Sequence, residues 1–168
     1  IQRQHQKLIE VSPAPSLPDE LRSKLTADAI HMAEAVSYLN AGTFEFMVAS
    51  NASDGSAEYG FIEANPRLQV EHTVTEEVTD LDLVKIQLQI CSGAKLDELG
   101  LEQGQIPRPR GYAMQVRINM ESIQPDGSLL PASGALTSFE VPSGRGIRTD
   151  TFGYAGYKPS PHYDSLLA

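Results

Sequence analysis

The sequence is short of cysteine, basic residues and long apolar runs, and each shortage excludes a class of protein. Cys91 is the one cysteine, so no internal disulfide can form and a disulfide-stapled secreted scaffold is excluded. Charged residues interrupt every apolar run before it could span a bilayer. Thirteen Lys and Arg against 22 Asp and Glu leave a net charge of -9, which disfavours nucleic acid and anionic membranes as partners.

What is present is the composition of a folded protein, with 40% hydrophobic residues and 168 residues in all. That length allows one compact domain or two small ones. The chain does not begin with Met and ends as an apolar run begins, so we expect a fragment of a longer polypeptide. Cys91 lies in an apolar periodic stretch, where we expect a buried, inert thiol in a reducing compartment.

The first hundred residues predict helices around a pair of strands. Apolar residues at helical spacing predict a helix over 19–40, and a second helix is predicted over 80–92 with Gly93 at its end. Residues 42–48 and 58–63 are β-prone runs joined by the polar, glycine-containing segment 51–56. This arrangement predicts adjacent antiparallel strands.

The proline-rich segment 101–110 is the best candidate for a domain boundary, which we place at residue 105. Beyond it the pattern becomes mainly β. Residues 112–120 alternate, with Arg117 and Asn119 on one face, and further strands are predicted over 134–141 and 145–152. The sequence therefore predicts an α+β fold with one domain over 1–105 and another over 106–168.

Carboxylate and amide side chains follow the second β-prone run. Glu63 and Asn65 share one face of an extended segment, and Glu45 on the neighbouring strand could place a second carboxylate beside them. Mg²⁺ prefers a few hard oxygen ligands and leaves other positions to phosphates and water. The pattern fits a Mg-nucleotide site, although solvated strand carboxylates would produce the same spacing.

Arg67, Gln69 and Glu71 alternate in the same way, which would put a guanidinium, an amide and a carboxylate on one side of the chain. Arginine matches the geometry of a small planar oxyanion, and a nearby glutamate can act as a general base. The alternative interpretation is an Arg–Glu surface pair.

Residues 63–76 as a whole resemble the signature of the biotin carboxylase family, a branch of the ATP-grasp ligases. Five further segments match the family in the same order: 2–7, 41–46, 115–119, 154–157 and 163–165. The family usually has other residues where Ala64 and Pro66 stand, but neither change removes a functional side chain. The resemblance implies the C-terminal part of an ATP-grasp domain, a mixed sheet with helices, followed by part of the β-rich biotin carboxylase C-terminal domain.

The resemblance also implies roles for individual residues. Glu45, Glu63 and Asn65 would be Mg²⁺ or Mn²⁺ ligands, with Glu45 also near the nucleotide. His5 would contact ATP, with Gln2 beside it.

The remaining implied roles concern bicarbonate and biotin. Glu71 would deprotonate bicarbonate, and Arg117 would face the ureido oxygen of biotin. The residues that would hold bicarbonate are Lys7, Arg67, Gln69 and the backbone of Val70.

The implied reaction is MgATP-dependent carboxylation of biotin by bicarbonate through carboxyphosphate. The implied partners are ATP, bicarbonate, a biotinyl carrier domain and a carboxyltransferase component, in a homodimer located in the cytoplasm or the mitochondrial matrix. Without the upstream half of the enzyme we expect the chain alone to be inactive. Two alternatives remain: another ATP-grasp ligase of the carbamoyl phosphate synthetase type, and a non-catalytic docking or assembly module.

Overall fold

The computed structural model describes residues 1–3, 5–49 and 58–168, and these form helices and short strands in an α+β arrangement. The strands pair two by two, as β1 with β2, β3 with β6, β4 with β5 and β7 with β8. In chain order the elements are β1 Gln2–Arg3, β2 Gln6–Lys7, β3 Ile9–Ser12, α1 Asp19–Ala35, β4 Thr43–Val48, β5 Tyr59–Asn65, α2 His72–Thr79, α3 Leu83–Cys91, β6 Ala113–Val116, β7 Glu121–Ile123 and β8 Leu129–Pro131.

The chain divides into two compact units. A continuous unit comprises Glu10–Gln115, and a discontinuous unit combines Ile1–Ile9 with Val116–Ala168. In the continuous unit, Leu21 of α1 and Val74 and Val78 of α2 are buried, and in the discontinuous unit Leu167 is buried. The buried apolar residues of α2 place that helix in the core directly after the predicted functional loop.

Helix α1 begins at Asp19 as predicted but ends at Ala35 rather than near residue 40. Ser37 and Asn40 have positive φ angles of 50° and 80°, which an α-helix does not accommodate. The N–H of Tyr38 donates to the carbonyl of Ala33 at 2.9 Å and closes the last turn. Leu39, which would have continued the apolar stripe, is 82% exposed.

Strands β4 and β5 are antiparallel neighbours, which confirms the predicted pair. The ring of Phe46 on β4 packs edge-on against Phe61 on β5, with 5.9 Å between their centroids. The predicted turn over 51–56 lies outside the described residues. The pairing sets the register of the polar residues at the end of the two strands.

The predicted helix over 80–92 is confirmed as α3, Leu83–Cys91, while the helix before it, α2 over His72–Thr79, was not predicted. They are separated at Asp80, whose φ of 62° interrupts the helix. Helix α3 begins after Asp82, whose side chain accepts a hydrogen bond from the N–H of Lys85 at 2.8 Å and caps the helix. Its C-terminal end near Gly93, which has a φ of 99°, agrees with the predicted stop.

The buried carboxylate of Glu76 holds the turn between α2 and α3. Glu76 is 8% exposed, and its Oε1 accepts a hydrogen bond from the N–H of Leu83 at 2.7 Å. We expect Glu76→Ala to destabilise the folded protein by about 1–3 kcal/mol, because a donor is left unsatisfied. Urea unfolding measures this change. Glu77→Ala, which alters the same residue type at the next, exposed position, is the control and should have a much smaller effect.

The predicted strands over 134–141 and 145–152 are wrong. Residues 134–141 and 145–152 form no strand. An isolated β-bridge pairs Gly144 with Ile147. Gly134, Gly144 and Gly146 all have positive φ angles, which interrupt an extended backbone.

Strands β7 and β8 form an antiparallel hairpin. In its turn, the hydroxyl of Ser128 donates a hydrogen bond to the carboxylate of Asp126. This bond lowers the pKa of the Asp126 carboxyl.

The expectation that Cys91 is buried is also wrong, since its side chain is exposed. Cys91 is the last residue of α3, a helix in which no residue is fully buried.

Within the described part of the chain, no helix has the length and apolar character that a membrane span requires.

Candidate functional site

Two glutamates occupy directly opposite positions on β4 and β5. The register pairs Glu45 with Glu63, and the ladder is irregular immediately after Glu45. The amide nitrogen of Asn65 donates to Oε1 of Glu63 at 2.7 Å and lies 3.4 Å from Oε1 of Glu45. The predicted arrangement is confirmed: Glu63 and Asn65 share one face, and Glu45 places a second carboxylate beside them.

The acidic pair, Glu45 and Glu63, is electrostatically unfavourable by itself. Like charges directly opposite each other destabilise an antiparallel sheet. Amide groups reduce this cost, because Gln69 also directs its Nε2 to Oε1 of Glu45 at 3.4 Å. Two carboxylates directly opposite each other favour a cation bound beside them.

The donor set around the acidic pair fits a divalent metal such as Mg²⁺. Two carboxylates and an amide are hard oxygen donors, and Mg²⁺ binds through one or two carboxylates while phosphates and water complete its coordination. In the described ranges no three His, Cys, Asp or Glu side chains cluster as a metal site. With two carboxylates and one amide as protein ligands, the arrangement suits a metal whose other positions are taken by phosphate and water.

Gln69 presents a second feature that fits a ligand. Its Oε1 is buried and has no hydrogen-bond partner among the residues that the structure describes. Buried polar atoms are normally paired, so an acceptor of this kind calls for an explanation. A small molecule carrying an O–H group would satisfy it.

The segment that follows β5 is a series of turns rather than an extended strand. The N–H of Arg67 donates to the carbonyl of Asn65 at 2.8 Å, and Glu71 has helical angles of φ -70° and ψ -2° as the N-cap of α2. The expectation that Arg67, Gln69 and Glu71 line one side of an extended chain is therefore wrong. Arg67 is exposed, while Gln69 and Glu71 are half-buried.

His72 fastens this turn to helix α2. Its Nδ1 lies 2.8 Å from the carbonyl oxygen of Gln69, and its Nε2 lies 3.8 Å from Oε2 of the buried Glu76. These two contacts give His72 a structural role at the start of α2. The spacing of His72 and Glu76 on one helix face is the sequence signal for this contact.

The other predicted site residues lie in the discontinuous unit. Gln2 and Lys7 are cross-strand partners on β1 and β2, and His5 lies between these strands with a φ of 66° and an exposed side chain. The backbone N–H of Arg117 donates to the carbonyl of Leu8 at 2.9 Å. This unit thus brings the Arg117 backbone close to the residue that follows Lys7.

The two units contain different parts of the predicted site. The continuous unit brings together Glu45, Glu63, Asn65 and Gln69, with Val70 in the following turn. Arg117 belongs to the discontinuous unit. A shallow cavity of about 290 Å³ lies along α3, and none of the predicted site residues lines it. Its lining residues are Lys85, Leu88, Gln89, Ser92 and Ala94.

Two family models match successive parts of the chain. Residues 1–99 match the carbamoyl-phosphate synthase L chain, ATP binding domain, and residues 115–168 match the biotin carboxylase C-terminal domain. The segment between them contains the predicted boundary at residue 105.

Curated and solved proteins are similar over almost the whole chain. Pyruvate carboxylase of Aspergillus niger is 46% identical over 168 residues, which are 99% of this chain and 13% of that protein. A single-chain, multi-domain long-chain acyl-CoA carboxylase is 44% identical with a TM-score of 0.89, over 99% of this chain and 17% of that one. The biotin carboxylase domain of a single-chain bacterial carboxylase is 44% identical with a TM-score of 0.85, over 99% and 36%. The chain thus spans a small part of the length of its relatives.

Proposed function

The chain belongs to the biotin carboxylase branch of the carbamoyl-phosphate synthase L chain ATP-binding family, and we propose that it supplies part of a biotin carboxylase active site. The complete protein would carboxylate biotin with bicarbonate at the expense of ATP. The observation that carries this proposal is the acidic pair, Glu45 opposite Glu63, with amides of Asn65 and Gln69 directed at it. The match over 115–168 disfavours a carbamoyl phosphate synthetase.

The acidic pair and Asn65 would hold Mg²⁺ or Mn²⁺ with the ATP phosphates. When bound, the metal would neutralise charge on the phosphoryl group during its transfer. The chain's own contribution is to hold two carboxylates in cross-strand positions, where their repulsion makes a cation favourable. His5 and Gln2 would contact ATP, with Glu45 also near it.

Bicarbonate would be held by charge and by hydrogen bonds. Gln69 offers a buried acceptor, Oε1, for the O–H of bicarbonate, while a guanidinium matches its planar oxygens. Glu71 would remove the proton, so that the bicarbonate oxygen attacks the γ-phosphorus and ADP leaves. The groups we assign to bicarbonate are Lys7, Arg67, Gln69 and the backbone of Val70.

Biotin is the acceptor substrate of this half-reaction, and Arg117 would stabilise the negative charge that develops on its ureido oxygen. Preorganised positive charge contributes most where charge develops in the transition state. Carboxyphosphate would break down to CO₂ and phosphate, and the phosphate would take the proton from the ureido nitrogen. The deprotonated nitrogen would then attack the carbon of CO₂, which forms the N–C bond of carboxybiotin. The products are carboxybiotin and phosphate.

The complete protein would act with a biotinyl carrier domain and a carboxyltransferase component, as a homodimer. We place it in the cytoplasm or the mitochondrial matrix, since the similar pyruvate carboxylases of rat and human are mitochondrial. We place the domain boundary at residue 105.

The test of this proposal is ATP turnover by the complete protein with bicarbonate and biotin added or withheld. ATP cleavage that requires bicarbonate and rises with biotin is the expected result. ATP turnover indifferent to both would contradict it. The 168-residue chain alone should show no turnover, because it covers 36% of the similar biotin carboxylase domain.

Replacing one member of the acidic pair should weaken the binding of the metal. In the complete protein, Glu63→Gln should raise the Mg²⁺ concentration for half-maximal activity by roughly tenfold or more, because loss of even a supporting group around a metal costs about 10–100-fold in affinity. A Mg²⁺ titration of activity measures the change. Glu58→Gln, at an exposed position just before β5, is the control, and an equal shift in both variants would remove Glu63 from the site.

A further inference from the structure

A polar cluster in the discontinuous unit is centred on Glu121, a residue without a role in the proposed reaction. Its Oε2 accepts a hydrogen bond from Nη2 of Arg3 at 2.5 Å. Its Oε1 accepts from Oγ of Ser165 at 2.8 Å and from Nδ2 of Asn119 at 3.5 Å. The side chain of Glu121 is 13% exposed, so these partners replace most of its water.

The cluster connects three segments that are far apart in sequence. Arg3 lies on β1, Glu121 begins β7, and Ser165 lies near the end of the chain. The backbone repeats this connection, because the N–H of Met120 donates to the carbonyl of Ser165 at 2.7 Å. Glu121 is thus the carboxylate at which the first and last segments of the unit meet.

Two of the three segments carry residues that we assign to substrates. Gln2 and Lys7 are cross-strand partners on the β1–β2 hairpin, and Arg3 follows Gln2 directly. Since side chains alternate across a strand, Arg3 points to the face opposite Gln2 and Lys7. Its bond to Glu121 anchors one face of the hairpin and leaves the other face for the substrate-binding residues. Arg117, four positions before Glu121, donates its N–H to the residue after Lys7.

The hairpin needs such an anchor. It consists of two residue pairs, and an isolated two-stranded hairpin is marginally stable in water. The Nε of Arg3 is buried without a hydrogen-bond partner among the described residues. Loss of the Glu121 carboxylate would therefore leave a half-buried guanidinium with its charge poorly compensated.

We infer that Glu121 is a positioning residue for biotin carboxylation, which acts through Arg3 to hold the hairpin that carries Gln2 and Lys7. The inference rests on the proposed function, because Lys7 and Gln2 have their roles from it. Glu121 itself contacts no reacting group in this account. Its effect is on where Lys7 meets bicarbonate.

The experiment is steady-state kinetics of Glu121→Gln in the complete protein, with bicarbonate varied at saturating ATP and biotin. We expect KM for bicarbonate to rise roughly tenfold, since a displaced Lys7 would lose its charge-assisted hydrogen bond to the bound anion. A structural defect alone would reduce the amount of active enzyme, which lowers kcat and leaves this KM unchanged. An unchanged KM would therefore overturn the inference.

Arg3→Gln supplies a second variant, and it carries the test if Glu121→Gln does not fold. Arg3 is 37% exposed, so its replacement disturbs less buried structure. Both single variants and the double variant should show the same rise in KM, because residues that act through one contact are not additive. Additive rises in the double variant would contradict action through Arg3.

Asp150→Asn is the matched control in the same unit. Asp150 accepts a hydrogen bond from Nε of Arg148 at 2.8 Å, and its side chain is 49% exposed. This variant should leave KM for bicarbonate at the wild-type value, and a rise equal to that of Glu121→Gln would overturn the inference. Wild-type activity distinguishes failure of the proposed function from failure of the positioning role. If the wild type does not carboxylate biotin with bicarbonate, the proposed function is refuted. If it does, and Glu121→Gln has the wild-type KM for bicarbonate, only the positioning role is refuted.

Discussion

Glu71→Gln in the complete protein is expected to lower the rate of bicarbonate-dependent ATP cleavage by roughly 10²–10⁴-fold, the usual contribution of a positioned general base. The variant keeps the size of the side chain and removes its ability to accept a proton. Glu71 is half-buried at the N-cap of α2, where the backbone fixes its position. The measurement is single-turnover ATP cleavage with bicarbonate, and the decrease should appear in kcat.

The control for Glu71 is Glu77→Gln. It removes a carboxylate from the exposed face of α2 and should leave the rate close to that of the wild type. Wild-type turnover by Glu71→Gln would mean that another group takes the bicarbonate proton, and the proposed base would then be wrong.

Arg117→Ala is expected to lower carboxylation of biotin by roughly 10²–10³-fold, the cost of losing one donor to a developing oxyanion. Arg117 is half-buried, and its backbone is fixed by the bond to Leu8. The loss should appear with biotin as the varied substrate, because the guanidinium is assigned to the ureido oxygen. Carboxybiotin formation from labelled bicarbonate measures it directly.

The control for Arg117 is Arg108→Ala, which removes an exposed guanidinium from the proline-rich segment. It should leave biotin kinetics unchanged. Arg117→Lys is informative as well, since lysine keeps the charge but loses the planar fork of donors. Biotin kinetics of wild-type strength in Arg117→Ala would remove this residue from the mechanism.

Local patterns predicted the arrangement of Glu45, Glu63 and Asn65. Alternation along one β-prone run placed Glu63 and Asn65 on a common face, and the neighbouring run supplied Glu45. The structure adds the register, which makes Glu45 and Glu63 direct cross-strand partners. Register could not be predicted, because it depends on the turn and on a ladder irregularity after Glu45.

Predictions failed where a backbone angle or a distant contact decides the structure. Positive φ angles at Ser37 and Asn40 stop helix α1 from continuing to residue 40, although its apolar pattern runs on to Leu39. The turns from Arg67 to Glu71 replace an extended run, because His72 holds the Gln69 carbonyl. These contacts leave little trace in short sequence windows.

The polar cluster at Glu121 could not be predicted either, because it joins residues that are far apart in sequence. Arg3 and Glu121 are 118 positions apart, and nothing near either residue indicates the other. The alternation that placed Arg117 and Asn119 on one face does extend to Glu121. The sequence pattern therefore indicates that Glu121 lies on the same face as Arg117, but it does not indicate that Arg3 is the partner of Glu121.

The central claim is that Glu45, Glu63 and Asn65 hold the divalent metal that accompanies ATP. A crystal structure of the complete protein with Mn²⁺, a non-hydrolysable ATP analogue and bicarbonate tests it most directly, because Mn²⁺ is located by its anomalous scattering. We predict an anomalous peak between the carboxylates of Glu45 and Glu63, at the roughly 2 Å expected for oxygen ligands of a small divalent cation. A nucleotide-bound structure whose Mn²⁺ peak lies away from both carboxylates would contradict the account.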